Sequence, residues 1–119
     1  MDARRQNNGT KMNVTVQDES GRIVVRMSER RLDAVIAGEF KDTVRPHVAM
    51  KGPDLVLDLT AVEFLDSSGL GAVIALKKAL PAGRRMLLRG LTPNVERVFR
   101  LTRMDQVFDI IHAEDGTGA

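Results

Sequence analysis

The sequence predicts a mixed α/β domain, in which a sheet of four to five strands carries packed helices in the order ββαβαβαβ. Three observations predict it. Residues 13–17 alternate apolar and polar, residues 22–27 form a β-branched run, and Asp18-Glu19-Ser20-Gly21 between them has turn chemistry, so this region reads as a hairpin. Residues 54–59 hold four apolar side chains in a short run, the pattern of a central strand covered on both faces. The remaining strand-like runs alternate with stretches of helical periodicity.

The first helix is expected from Leu32 to about Val44, because Leu32, Ile36, Phe40 and Val44 fall four apart and make one apolar face. Gly38 weakens it, and Pro46 is expected to kink or stop it near Arg45. After the strand at 54–59, a second helix is expected from Ser67 to about Leu80. Leu70, Val73, Ile74, Leu76 and Leu80 face its core, Lys77 and Lys78 stay in water, and Pro81-Ala82-Gly83 ends it. Met86-Leu87-Leu88 reads as a strand. Thr92-Pro93 opens a third helix, with a cap followed by proline at the first helical position and a stripe of Val95, Val98, Phe99 and Thr102. Residues 107–111 form a last strand.

Domain boundaries follow from the polar ends: a disordered tail over 1–11, one domain over 12–112 and a flexible tail over 113–119. Arginines near the N-terminus are not followed by the apolar core of a signal peptide, and no apolar run is long enough to span a bilayer. The chain has no cysteine, which excludes disulfides and zinc–thiolate sites and suits the cytoplasm. A net charge of +2 points to no nucleic-acid partner, and four Phe with no Trp or Tyr leave few platforms for stacking bases.

The informative stretch is residues 58–71, where a buried strand crosses a short link into a helix that begins Ser67-Ser68-Gly69-Leu70-Gly71. Each glycine inside a helix costs roughly 1 kcal/mol against alanine. Asp66 or Ser67 can cap the exposed amides and offset part of that cost. Two readings account for the small residues. Gly69 and Gly71 let the helix approach the sheet, or they keep Ser67 open to a partner.

The string Leu65-Asp66-Ser67-Ser68-Gly69-Leu70-Gly71, preceded by Leu55-Val56-Leu57-Asp58-Leu59, resembles the signature of the STAS domain. It is similar in particular to the anti-sigma factor antagonists of bacterial partner-switching systems. Leu32-Asp33 at the first helix and residues 93–99, similar to the family's third helix, extend the resemblance over roughly 14–111. The resemblance implies the STAS fold and a regulatory protein without catalysis or cofactor. It implies that the serine directly after the aspartate, Ser67, accepts a phosphoryl group. Asp33, Asp66, Ser67, Ser68, Gly69, Leu70 and Gly71 would then make up the partner-binding surface. The implied partners are an anti-sigma factor that is also a serine kinase of the histidine-kinase-like ATPase type, and a metal-dependent serine phosphatase. Neither direct nucleic-acid binding nor membrane insertion is expected. Other STAS modules serve as adaptors of a transporter ATPase or as parts of a stress-sensing scaffold, and this is the alternative reading.

Three departures from the family pattern stand out. Arg30-Arg31 replaces a Gly-Glu pair before Leu32-Asp33, Pro46 falls within the first helix, and residues 112–116 do not read as a C-terminal helix.

Other chemistries fit less well. Neither serine sits in Gly-x-Ser-x-Gly, and His47 and His112 lie in weakly patterned stretches, so a hydrolase is not expected. No phosphate-binding Gly-x-x-x-x-Gly-Lys loop is present. Asp54, Asp58, Glu63 and Asp66 cluster in sequence, and strand-flanking or helix-capping roles are favoured over a metal. Arg97, Arg100 and Arg103 fall three apart and read as a solvated basic stripe.

Overall fold

The computed structural model describes residues 12–112; the two expected tails, and any C-terminal helix after His112, lie outside the described residues. Two strands, β1 (Val14–Glu19) and β2 (Arg22–Met27), pair antiparallel, with Glu19 opposite Arg22. The two residues between them, Ser20 and Gly21, have φ of 54° and 83°, the left-handed pair that matches the twist of a two-residue hairpin turn. Strand β3 (Arg31–Leu32) and helix α1 (Ala37–Ala49) follow, then β4 (Leu55–Asp58), β5 (Phe64–Leu65) and α2 (Ser67–Lys78). Strand β6 (Met86–Arg89), helix α3 (Pro93–Leu101), a short 3-10 turn at Met104–Gln106 and β7 (Asp109–Ile111) complete the order.

The main sheet has five strands in the order β1-β2-β4-β6-β7, so β4 is central as its composition predicts. Every pair except β1–β2 is parallel. Because side chains alternate along each strand, Leu55 and Leu57 point to one face and Val56 and Asp58 to the other. All three helices pack on the first face. Phe40, Val44 and Val48 of α1, Val73 and Leu76 of α2, and Val95 and Phe99 of α3 join Val25, Leu57 and Leu88 in one core.

Every residue of β4 is buried, as expected of a central strand covered on both faces, although no helix among the described residues lies on the second face. There Val24, Val56 and Leu87 form a small apolar patch against which Ile111 packs, and charged side chains pair on the same face. Arg89 on β6 donates to Asp58 at 3.0 Å and reaches over β4 and β2 to Glu19 on β1 at 3.3 Å. Arg26 donates to the same Asp58 oxygen at 3.3 Å. Long guanidinium side chains can lay their methylenes over apolar surface while their heads stay paired.

Two expectations for the first helix are corrected. Leu32 belongs to β3, and α1 starts at Ala37, because the 33–36 segment turns on the Asp33 carbonyl, which accepts from Ile36 and Ala37. Pro46 does not end α1, which continues to Ala49. An interior proline removes one hydrogen bond and costs about 3 kcal/mol. Burial of Val44 and Val48 on either side holds the last turn in place. A buried arginine caps it as well: Arg84 Nη1 donates to the carbonyls of His47 (2.5 Å), Val48 (3.1 Å) and Met50 (2.8 Å), and Nε donates to Pro53 (2.6 Å). The His47, Val48 and Met50 carbonyls are at the helix end, where intrahelical partners are missing, and Pro53 lies in the loop beyond it.

Three smaller differences complete the comparison. Helix α2 ends two residues earlier than expected, at Lys78, and Lys77 lies 5.9 Å over the Phe108 ring instead of standing free in water. The last strand is shorter than expected because residues 104–106 form the 3-10 turn and Val107 stays exposed. Strands β3 and β5, each two residues long, form a separate parallel pair that was not expected.

Burial pushes the Asp58 carboxyl up, but hydrogen bonds from the Thr60 hydroxyl and amide and from Arg89 outweigh it, and the pKa is lowered overall. A carboxyl with a depressed folded-state pKa contributes stability that is present above its unfolded pKa and lost as pH falls through the folded value. Stability of the domain should therefore decline on acidification below about pH 4, the unfolded aspartate value. Urea melts of Asp58→Asn should show lower stability at neutral pH and a flatter acid limb; an acid limb identical to that of the parent chain would remove Asp58 from this role.

Candidate functional site

The site begins where β5 ends. Leu65 is buried against the core, Asp66 is half-buried, and Ser67 starts α2 exposed. Asp66 is the N-cap: its Oδ1 accepts from the Gly69 amide at 2.9 Å, satisfying one of the amides that a helix start leaves open. Its Oδ2 accepts from the Ala34 amide at 3.1 Å. One carboxylate thus joins the first turn of α2 to the loop that leads from β3 into α1. The β3–β5 pairing, with Leu32 opposite Leu65, sets the same two segments side by side.

The two glycines that composition alone left ambiguous separate cleanly. A Cβ on Gly69 would lie 2.1 Å from the Leu32 carbonyl oxygen, so this glycine is required by the close approach of α2 to β3. A Cβ on Gly71 would meet nothing within 4 Å. Gly71 is exposed, as are Ser67 and Ser68, whereas Gly69 and Leu70 are buried. The predicted surface therefore divides: Ser67, Ser68 and Gly71 present an open, small-residue face, and Gly69 and Leu70 anchor it from beneath. Among the described residues the Ser67 hydroxyl makes no hydrogen bond, so it is free at the positive end of a helix.

Asp33 reaches the site indirectly. Its Oδ2 accepts from Arg31 Nε at 3.1 Å and its Oδ1 from the Val35 amide at 3.1 Å, and it shapes the loop whose next residue, Ala34, Asp66 holds. The hydrogen bond from Arg31 is the largest cause of a lowered Asp33 pKa. The Arg31 guanidinium also stacks 4.7 Å over the exposed Phe64 ring, and Arg30 pairs with Glu63 at 3.1 Å. Val35, 85% exposed, stands in the same loop. Residue-pattern reasoning did not find Phe64 or Val35 as parts of this rim. A two-residue strand is too short for any alternation to be seen, and the Arg31–Phe64 stack spans 33 positions.

The rival chemistries find other uses for their residues. Asp58 is engaged by Thr60, Arg26 and Arg89, and Asp66 by two backbone amides, as strand-end and capping roles require. The Arg97, Arg100 and Arg103 side chains are exposed, as expected of a solvated stripe.

Fold and site together define a mixed-sheet α/β module that offers a free serine at a capped helix start, on a surface of small side chains. The chain belongs to the STAS domain family, whose model matches residues 11–116. It is 30% identical over 84 residues to an anti-sigma-B factor antagonist of Listeria monocytogenes, covering 70% of this chain and 74% of the relative. The crystal structure of an anti-sigma factor antagonist from Mycobacterium paratuberculosis superposes with a TM-score of 0.71 at 33% identity, covering 84% of this chain and 85% of the other. The anti-sigma factor antagonist SpoIIAA in its unphosphorylated form shares the fold, with a TM-score of 0.65 at 19% identity, covering 88% and 93% of the two chains. A Bacillus SpoIIAA has also been solved in its phosphorylated form (TM-score 0.56, 20% identity, 89% and 97% covered).

The two glycines should respond oppositely to the same substitution. Gly69→Ala should destabilise the domain by roughly 1–3 kcal/mol through overpacking. Gly71→Ala should stabilise it by up to about 1 kcal/mol through helix propensity. Equilibrium unfolding in urea measures both, and a loss of stability in Gly71→Ala as large as that in Gly69→Ala would refute the division.

Proposed function

We propose that this protein is an anti-sigma factor antagonist that acts by partner switching in the cytoplasm, with Ser67 as the phosphorylated residue. In its unphosphorylated form it binds an anti-sigma factor and thereby releases a sigma factor. That anti-sigma factor is a serine kinase of the histidine-kinase-like ATPase type, which transfers the γ-phosphoryl group of ATP to the Ser67 hydroxyl oxygen and leaves ADP. A metal-dependent serine phosphatase hydrolyses the ester and restores the binding form. The domain itself supplies a substrate and a docking surface and needs no cofactor.

The observation that carries this reading is the exposure of Ser67 at the start of α2, with its hydroxyl unengaged among the described residues. The relatives named as anti-sigma factor antagonists support the pathway. Gly71 supports it physically. It carries no steric need for glycine, so its missing side chain leaves room on the face that Ser67 shares.

The energetics suit a surface switch. Phosphorylation adds about −1.5 to −2 charges at neutral pH. The exposed amides and dipole at the start of α2 can tolerate that charge while the fold stays intact. In a docked complex the same charge is removed from water without a partner, and an unpaired buried charge costs about 3–5 kcal/mol. Inverting a 99:1 preference takes about 5.5 kcal/mol, so desolvation of a doubly charged group brings the switch within reach. No helix among the described residues is long and apolar enough to cross a membrane.

Binding of purified variants to the anti-sigma kinase, measured by calorimetry, tests the assignment. Ser67→Ala should bind as the unphosphorylated chain does and resist modification by kinase and ATP. Ser67→Asp should bind roughly 100-fold more weakly, or worse. Equal affinities for the two variants, or phosphate located by mass spectrometry on Ser68 and not Ser67, would contradict it.

A further inference from the structure

At the far end of α2 from Ser67, a groove of about 230 Å³ runs between α1 and α2, lined by Lys41, Arg45, Ala75, Leu76, Lys78 and Ala79. We propose that this groove binds a compact polyanion of the diphosphate class. Two helices bring three cationic side chains to one small concavity, and no acidic side chain among the described residues lines it.

The cations of the domain divide into paired ones and ones that make no side-chain hydrogen bond or ion pair among the described residues, Arg22, Lys51, Arg97, Arg100 and Arg103 included. In the first group Arg26, Arg30, Arg31, Arg85 and Arg89 all hold carboxylates, and the buried Arg84 holds four carbonyls. Lys41, Arg45 and Lys78 belong to the second group and share one concavity. Lys41 and Arg45 stand four apart on one helix face, a spacing at which like charges destabilise the helix. Lys78 faces them from α2, where the helix C-terminus favours its charge but supplies no counter-charge to the other two. An anion that bridged all three would relieve that repulsion and gain charge-assisted hydrogen bonds.

Size and floor define the class of ligand. At about 230 Å³ the groove falls below the roughly 300–1,000 Å³ of pockets for drug-sized molecules, so a small, highly charged ligand fits it better than a large organic one. Ala75 on α2 and Ala79 just after its end give the groove a floor of small side chains. Arginine supplies a planar fork for two oxygens of one phosphoryl group, and lysine supplies a point charge for another. The site is separate from the phosphorylation site. Ser67 opens the 12-residue helix α2 and Lys78 closes it, about 16 Å apart along the axis at 1.5 Å per residue.

Titration of the full-length, ¹⁵N-labelled chain with pyrophosphate at fixed ionic strength tests the proposal. Inorganic phosphate and citrate run in parallel separate phosphoryl chemistry from polycarboxylate chemistry. The expected result is a saturable set of amide shifts clustered at residues 41–45 and 75–79, with a midpoint at or below about 1 mM and stronger for pyrophosphate than for citrate. Lys41→Ala/Lys78→Ala should weaken the midpoint by about tenfold or more, the scale of losing a charge-assisted contact. Arg97→Ala/Arg100→Ala should leave it unchanged. Should the first double variant unfold, Lys41→Gln/Lys78→Gln keeps the aliphatic stems and carries the same expectation. Shifts that fail to saturate, that follow every exposed arginine, that are as strong for citrate, or that persist in the Lys41/Lys78 variants would overturn the assignment. None of these outcomes depends on Ser67, so loss of the partner-switching reading would leave this one standing.

Discussion

A single carboxylate holds together the two segments on which the Ser67 surface depends. Asp66 accepts from Gly69 in the first turn of α2 and from Ala34 in the loop entering α1. The first bond gives α2 a defined start at Ser67; the second fixes the neighbouring rim, with Val35 exposed and Asp33 turned toward Arg31. The arrangement works only because position 69 is glycine, since a Cβ there would collide with the Leu32 carbonyl. Cap, close approach and short β3–β5 pairing are therefore one structural device. Its effect is that a serine stands in water at a helix start instead of being drawn into the cap, because the aspartate before it already fills that role.

The sheet beneath explains why such a surface can change charge without changing shape. Helices α1, α2 and α3 share one core on one face, and the start of α2 rests on it through Leu70 and Val73. The opposite face is locked by its own ion pairs, with Asp58 at the end of β4 held by arginines from both adjacent strands. Ser67 contributes to neither. In the proposed switch, a phosphoryl group added there would meet helix amides and solvent, not the packed interior, and its consequences would fall on what docks and not on what folds.

Most of this architecture was legible in the residues, and the exceptions have physical causes. Turn chemistry at Ser20-Gly21 and the apolar run of β4 marked the hairpin and the central strand. Leu32 misled because its spacing to Ile36 is helical, yet its backbone pairs with Phe64–Leu65, a contact no local pattern can carry. Pro46 misled because the rule for interior prolines ignores tertiary rescue. Arg84, 38 positions later, supplies the donors that hold the end of α1. At the site, the seven-residue string narrowed the cap to Asp66 or Ser67 but did not choose Asp66, whose Oδ1 accepts from the Gly69 amide. What it could not reveal was that one glycine serves packing and the other openness, because that distinction lies in the space around each Cα. The Arg30-Arg31 departure likewise has its sense in three dimensions, as a rim whose arginines engage Glu63, Asp33 and the Phe64 ring.

The central claim, a charge change at Ser67 that alters docking while sparing the fold, is tested most directly by amide correlation spectra of the isolated chain before and after stoichiometric phosphorylation. The account predicts shifts confined to residues 33–36 and 66–71, with the amides of β2, β4 and β6 in place and their hydrogen-exchange protection retained. Shifts spread through the sheet, or loss of protection in β4, would show that the modification acts by unfolding or repacking the domain and would contradict it.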